Sequence, residues 1–176
     1  MLARYARQKM QKVNSLQGNL RSQKTLLIVA LLVLIADQLI KLGIRASLLL
    51  GVSRPEEGFL RLTRVHNEGI VFGLSVHHVV PLLLPMAVIA IVLFLSHRYA
   101  LFNTGLIKVA LGLFLGGSLG NLVDRVRLGY VTDFIDFNLW GDYHWPAFNL
   151  ADAAIVVGGI LLIWYGIGLA MSPKHS

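Results

Sequence analysis

AAIVVGGILLIWYGIGLAM, residues 153–171, runs without a single charge. A helix rises about 1.5 Å per residue and a bilayer's hydrocarbon core is about 30 Å thick, so about 20 apolar residues cross it. A helix in a soluble bundle keeps a polar face. This stretch has none, and it reads as a membrane span. Working outward, three further runs have the same character. Residues 25–44 are interrupted only by Asp37 and Lys41. Residues 79–96 are uncharged, with Pro81 and Pro85 near the start, where proline is best tolerated. Residues 104–123 carry one charge, Lys108, near their start. The expected fold is an α-helical membrane protein with four transmembrane helices in a single domain, 25–172. A basic tail, 1–24, precedes it and a short tail, 173–176, follows.

Composition agrees. Of 176 residues, 56% are apolar and 14% charged, against about 45–50% and about 25% in ordinary soluble domains. Mean hydropathy is +0.68. This excludes a disordered chain and argues against a soluble enzyme. The chain has no cysteine, which removes disulfides, zinc–thiolate sites, cysteine nucleophiles and S-lipidation of this chain. The net charge of +7 would point to nucleic acid in a soluble protein. Here it reads as topology, and no nucleic-acid partner is expected.

Arg4, Arg7, Lys9, Lys12, Arg21 and Lys24 precede the first span with no acid among them. The positive-inside rule puts that end in the cytoplasm. Four spans return Lys174 to the same side, and the loop between spans two and three carries Arg98. A cleaved signal peptide fits less well, because Asp37 and Lys41 follow the apolar core directly and no A-x-A site does.

Two outer segments remain, about 45–78 and 124–150. Phe59-Leu60-Arg61-Leu62-Thr63-Arg64-Val65 alternates apolar and polar residues, as a half-buried strand does. Asn67-Glu68-Gly69 reads as a turn, and Ile70-Val71-Phe72 as a second short strand. Tyr130-Val131-Thr132-Asp133-Phe134-Ile135-Asp136-Phe137 is β-prone as well. A small outer sheet is expected, with Trp140, Tyr143 and Trp145 at headgroup depth.

With this topology the ionisable residues fall at one depth, near the outer interface. Asp37 and Lys41 share a face of span one. Asn121, Asp124 and Arg125 cluster at the end of span three. Asn149 and Asp152 open span four, and Asp133 lies on the loop between. Charges at that depth are costly unless paired, so a functional site is the default hypothesis. Bland readings stand beside it: a structural Asp37–Lys41 pair, an Asn149/Asp152 capping box, glycines 116, 117 and 120 as packing positions, and Asp136 and Asp142 as solvated loop acids. In a strand, Asp133 and Asp136 face opposite sides. Gly116-Gly117-Ser118-Leu119-Gly120 matches a serine-hydrolase pattern but lies in an apolar helix, without the strand–turn–helix elbow that motif needs. His77-His78 is not metal-ligand spacing on a helix face, and neither a metal nor a cofactor is expected. An acid cluster without a nucleophile fits two chemistries. Paired carboxylates sharing a proton can activate water for acyl hydrolysis. Alternatively, the acids serve a small proton- or ion-coupled carrier. A site at one face and the absence of a repeat favour the enzyme.

Four blocks resemble the bacterial lipoprotein signal peptidase (signal peptidase II) family over about 25–171. They are Asp37-Gln38-Leu39-Ile40-Lys41; Asn67-Glu68-Gly69-Ile70-Val71-Phe72; Gly120-Asn121-Leu122-Val123-Asp124-Arg125 continuing through Gly129 to Phe137; and Phe148-Asn149-Leu150-Ala151-Asp152. The resemblance implies a membrane aspartyl endopeptidase of the bacterial inner membrane. It would remove signal peptides from diacylglyceryl-modified prolipoproteins, cutting just before the modified cysteine. It implies a catalytic pair at Asp133 and Asp152, a choice spacing alone leaves open. Asp37, Lys41, Asn67, Asn121, Asp124, Arg125, Asn149 and Ala151 would support or position. It also implies a small extracytoplasmic β-cradle, an outer surface helix and inhibition by the cyclic peptide globomycin. A monomer is favoured. One departure stands out: Ile70 and Val71 occupy positions where the family often has two small residues, which would narrow or reshape the cradle.

Overall fold

The computed structural model describes residues 2–71, 74–75, 80–98, 104–141 and 143–171. Phe72, His77, His78, Asp142 and Lys174 lie outside the described residues. Helix α1 (Leu2–Ser47) is followed by strands β1 (Ser53–Arg54), β2 (Leu60–Asn67), β3 (Ile70–Val71) and β4 (Leu74–Ser75). Helices α2 (Val80–Arg98) and α3 (Gly105–Leu128) come next, then β5 (Val131–Trp140), β6 (Tyr143–His144) and α4 (Leu150–Met171). The basic tail is thus not a separate unit in backbone terms, because α1 runs through it into the first apolar run. Among the described residues there is no separate surface helix.

Among the described residues, three helices are long and apolar enough to cross a membrane: Gln23–Ser47 of α1, all of α3, and Leu150–Gly168 of α4. Helix α3 is central. It packs against α1, α4 and α2, and most of its span is buried. Its glycines set how closely the neighbours approach. A Cβ at Gly116 would meet the Ala30 carbonyl and Val33 of α1, and one at Gly117 would meet the Ala151 carbonyl of α4. Small residues at helix crossings gain van der Waals contact where lipid supplies no hydrophobic drive. The packing reading of these glycines is the one observed. Ser118 lies buried inside α3 and its hydroxyl finds no partner among the described residues. Along α1 and just past its end, the buried positions Leu26, Ala30, Asp37, Lys41, Ile44 and Leu48 follow helical spacing and form one stripe. The middle of that stripe, Asp37 and Lys41, is charged, which is what positions the site.

The sheet orders β1-β2-β5-β6, all antiparallel. In β2, Val65 pairs with Asp133 and Asn67 with Val131, past a bulge between Leu62 and Val65. Gly69 takes a φ of +102° and donates its N–H to Asn67 Oδ1 at 3.0 Å. The turn at 67–69 is therefore an Asx turn, with glycine where the left-handed region is needed. Strands β3 and β4 form a separate two-stranded ribbon. Gly129, with φ of +83°, ends α3 by donating its N–H to the Arg125 carbonyl, and β5 starts two residues later.

Candidate active site

Asp133 and Asp136 face opposite sides of β5, as the two-residue period requires. Asp136 is not the solvated acid expected. It is buried, accepts from Arg61 Nε at 2.9 Å and from Arg61 Nη2, and lies 2.9 Å from His144 Nδ1. Burial alone would raise its pKa, but the hydrogen bonds from Arg61 and His144 outweigh it and hold the carboxyl below the usual carboxylate range. These contacts stitch β2 to β5 and β6 on the face of β5 opposite Asp133. Sequence reasoning missed it because Arg61 is 75 residues from Asp136.

Asp133 points the other way and is 2% exposed. Its Oδ1 accepts from Asn149 Nδ2 at 2.6 Å and its Oδ2 from Asn67 Nδ2 at 3.0 Å. Asp152, half-buried in the first turn of α4, accepts from Asn121 Nδ2 at 2.7 Å and from the Asn149 backbone N–H at 3.2 Å. The Asp152 N–H in turn donates to Asn149 Oδ1 at 3.0 Å. The capping box and the site are thus the same residues. Capping fixes α4's start and leaves the Asn149 amide free to hold Asp133.

The direction of these bonds is determined by Lys41. Its ammonium only donates, and it lies 3.0 Å from Asn121 Oδ1, so the Asn121 NH₂ must face Asp152. Asn149 Oδ1 is likewise claimed by the Asp152 N–H, so its NH₂ faces Asp133 and Asn121 Oδ1. Every amide around the two carboxylates therefore presents donors to them.

Lys41 is itself fully buried, 2.8 Å from Asp37 and 3.2 Å from Asp124. Asp124 is completed by the Thr132 N–H at 3.0 Å and by Arg45 Nη1 at 3.6 Å, and Arg45 also donates to Thr132 Oγ1. Asp37 receives the Ala151 N–H at 3.0 Å, an orphan donor of α4's first turn. Two acids and two bases balance, which is the condition for burying them. Gln38, which sequence reasoning passed over, ties Asp37, the Gly120 carbonyl and Asp124 Oδ1 together. Its signal was available, since Gln38, Lys41 and Arg45 share one helical face.

Arg125 stands within electrostatic reach of Asp152, Asp133 and Asp124, and its Nε is buried without a partner among the described residues. The structure thus brings all ten expected site residues together: Asp37, Lys41, Asn67, Asn121, Asp124, Arg125, Asp133, Asn149, Ala151 and Asp152.

Burial, and next the negative charge of Asp152, push the Asp133 carboxyl up to about 7, against donors Asn67 and Asn149 and the more distant Lys41. A carboxyl raised in this way suits acid–base work near neutrality. Beside Asp152 an apolar cavity of about 370 Å³ opens along α4, lined by Trp145, Phe148, Ala153, Val156 and Val157. Among the described residues no cluster of His, Cys, Asp or Glu is arranged to hold a metal ion.

Residues 29–167 match the family described as signal peptidase (SPase) II. A lipoprotein signal peptidase of Moorella thermoacetica is 45% identical over 139 residues, covering 78% of this chain and 89% of its own. One from Cupriavidus taiwanensis is 43% identical over 149 residues, covering 76% and 77%. A bacterial membrane enzyme solved by the in meso method at 2.3 Å superposes with a TM-score of 0.77 at 29% identity, over 87% of this chain and 93% of that one. With its membrane-capable helices, its small antiparallel sheet and this match, the chain belongs to the signal peptidase II family.

Proposed function

We propose that the protein removes the signal peptide from prolipoproteins whose cysteine carries diacylglycerol, cutting just before that cysteine by water held between Asp133 and Asp152. The observation that carries this reading is the pair itself: two carboxylates, both surrounded by amide donors, one of them raised to about 7. Asp133, the more deeply buried, holds the shared proton and polarises the scissile carbonyl. Asp152, ionised, takes the proton of the attacking water, and the proton on Asp133 then passes to the leaving amine. Asn149 and Asn121 hold the two carboxylates in register. Arg125 positions the substrate backbone, and Asp37, Lys41 and Asp124 fix Ala151 and Asn121 from below. The apolar cavity beside Asp152 gives the membrane-embedded part of the substrate a place next to the water.

In the same reading α2, uncharged until Arg98, is the fourth span. Both termini are cytoplasmic, the membrane is the bacterial inner membrane, and the sheet with its acids lies at the outer face. Globomycin is the expected inhibitor. Purified protein given a prolipoprotein with and without diacylglycerol tests the proposal. Cleavage confined to the lipidated form supports it. Failure of well-folded protein to cut either form, with ion flux in sealed vesicles, would point to a carrier instead.

A further inference from the structure

His66 and Asn67 are neighbours on β2 and so face opposite sides of the sheet. Asn67 reaches Asp133 at 3.0 Å. His66 turns away and lies flat on Tyr130, with ring centroids 3.6 Å apart and planes at 20°. Tyr130 follows Gly129, the residue that ends α3, and β5 begins at the next position. Past the bulge in β2, this end of the strand is held on β5 by the pairs Val65–Asp133, His66–Thr132 and Asn67–Val131. The stack closes that short ladder beside the Asn67 contact.

This histidine has no part in the proposed cleavage chemistry. Its ring is half-buried, and its Nε2 is fully buried without a partner among the described residues. A neutral ring with its proton on Nδ1 leaves only a lone pair at that atom. An imidazolium must place an N–H there with no acceptor, which is the costlier state. An imidazolium also gains attraction from the tyrosine face, a weaker effect. Arg64 lies two residues away on β2, fixed by bonds to the Arg45 and Leu48 carbonyls at 3.2 and 3.1 Å. Glu68, on the turn that follows, is exposed. On β5 the neighbours are Tyr130 and Thr132, and Thr132 is itself bonded to Arg45 and Asp124. Burial and the Arg64 charge, against Glu68, hold the imidazole below its ordinary value of 6.5. Below that pH the unfolded chain takes up a proton that the folded strand refuses, so this end of β2 loses stability as pH falls. We propose that neutral His66, stacked on Tyr130, is a positioning residue that keeps Asn67 on Asp133, and that its protonation loosens that hold. The effect on cleavage rests on the proposed role of Asp133, whereas the hold on β2 does not.

His66→Phe keeps a ring to stack on Tyr130 but cannot take a proton, so it separates titration from packing. Full-length native and variant proteins in detergent are compared at pH 7.5 and 5.5. Hydrogen exchange of the amides at 65–67, corrected for the intrinsic effect of pH, should lose about threefold or more of its protection in the native protein at the lower pH. His66→Phe should keep its protection at both. With lipidated prolipoprotein, the native kcat should match that of His66→Phe at pH 7.5 and fall about threefold or more below it at pH 5.5, with KM alike. Parallel exchange in the two proteins would overturn the proposal and leave His66 a packing residue. Exchange as expected but parallel kcat profiles would overturn its role in positioning. Exchange as expected with no cleavage by either protein would support the hold on β2 and contradict the peptidase reading instead. Nuclear magnetic resonance of the native protein needs no variant: a His66 ring, identified by its proximity to Tyr130, that titrates at or above the ordinary histidine value would also overturn the proposal.

Discussion

Asp133 and Asp152 are joined through one residue: the Asn149 side chain donates to the first at 2.6 Å and its backbone N–H to the second at 3.2 Å. One comes from a strand and the other from a helix, so their mutual geometry depends on this joint. Asn149→Ala removes a donor from Asp133 and the acceptor that caps the Asp152 N–H. We expect kcat to fall about 10–100-fold with little change in KM, the usual consequence of losing a group that orients a reacting one. Steady-state cleavage kinetics check this, and an unchanged kcat would mean that the pair is held otherwise.

Asp133 makes stability depend on pH in an unusual direction. Its folded-state pKa, about 7, lies above the ordinary aspartate value of 3.8. Between those values the folded protein keeps a proton that the unfolded chain has released. Its contribution therefore falls as pH rises through that window and is constant above about 7. Thermal unfolding in detergent should show Asp133→Asn gaining on the native protein as pH rises from 5 to 8. Activity should fall on the alkaline side once the pair's last shared proton is lost.

The buried charge cluster should respond to one substitution and partly recover with two. Lys41→Met leaves Asp37 and Asp124 short of a cation in a site that excludes water. A loss of about 3–5 kcal/mol is expected. Adding Asp37→Asn removes one of the stranded charges and should restore part of it. Denaturation midpoints of the two variants measure the difference.

Gly120 tests the packing beneath the site. A Cβ there would sit 2.7 Å from Asp37 Oδ2 and press on Ala151. Gly120→Ala should cost about 1–3 kcal/mol and, by shifting Asp37, loosen the first turn of α4. Lower cleavage should accompany the lower melting temperature, and full activity would show that Asp152 does not depend on this contact.

Asp136 is the control on the other face. Asp136→Asn should cost about 1–3 kcal/mol through its bonds to Arg61 and His144 and change cleavage little. Because its pKa is depressed, the native protein's advantage should be present at neutral pH and disappear as pH falls through the folded-state value.

Much of this was legible before the structure. The β-prone run 130–137 marks β5, and the two-residue period of a strand separates Asp133 from Asp136. The spacing of Asn149 and Asp152 marks the cap, and the glycines of α3 mark close helix crossings. Local period and spacing carry such features. Partners brought together only by folding are different. That Asp136 is buried depends on Arg61 and His144, from two other strands, and the direction of the Asn121 and Asn149 amides depends on Lys41, 80 residues from Asn121. Choosing Asp133 over Asp124 needed family resemblance, because both are acids at the same depth. The structure separates them by partners: Asp124 faces Lys41 and Arg45, whereas Asp133 is held by neutral amides.

The most direct measurement is cleavage of a prolipoprotein, with and without diacylglycerol on its cysteine, by purified native protein and by Asp133→Asn and Asp152→Asn. Cleavage only of the lipidated form, lost in both variants while each remains folded, is the predicted result. Turnover retained by either variant would contradict the assignment of Asp133 and Asp152 as the pair that activates water.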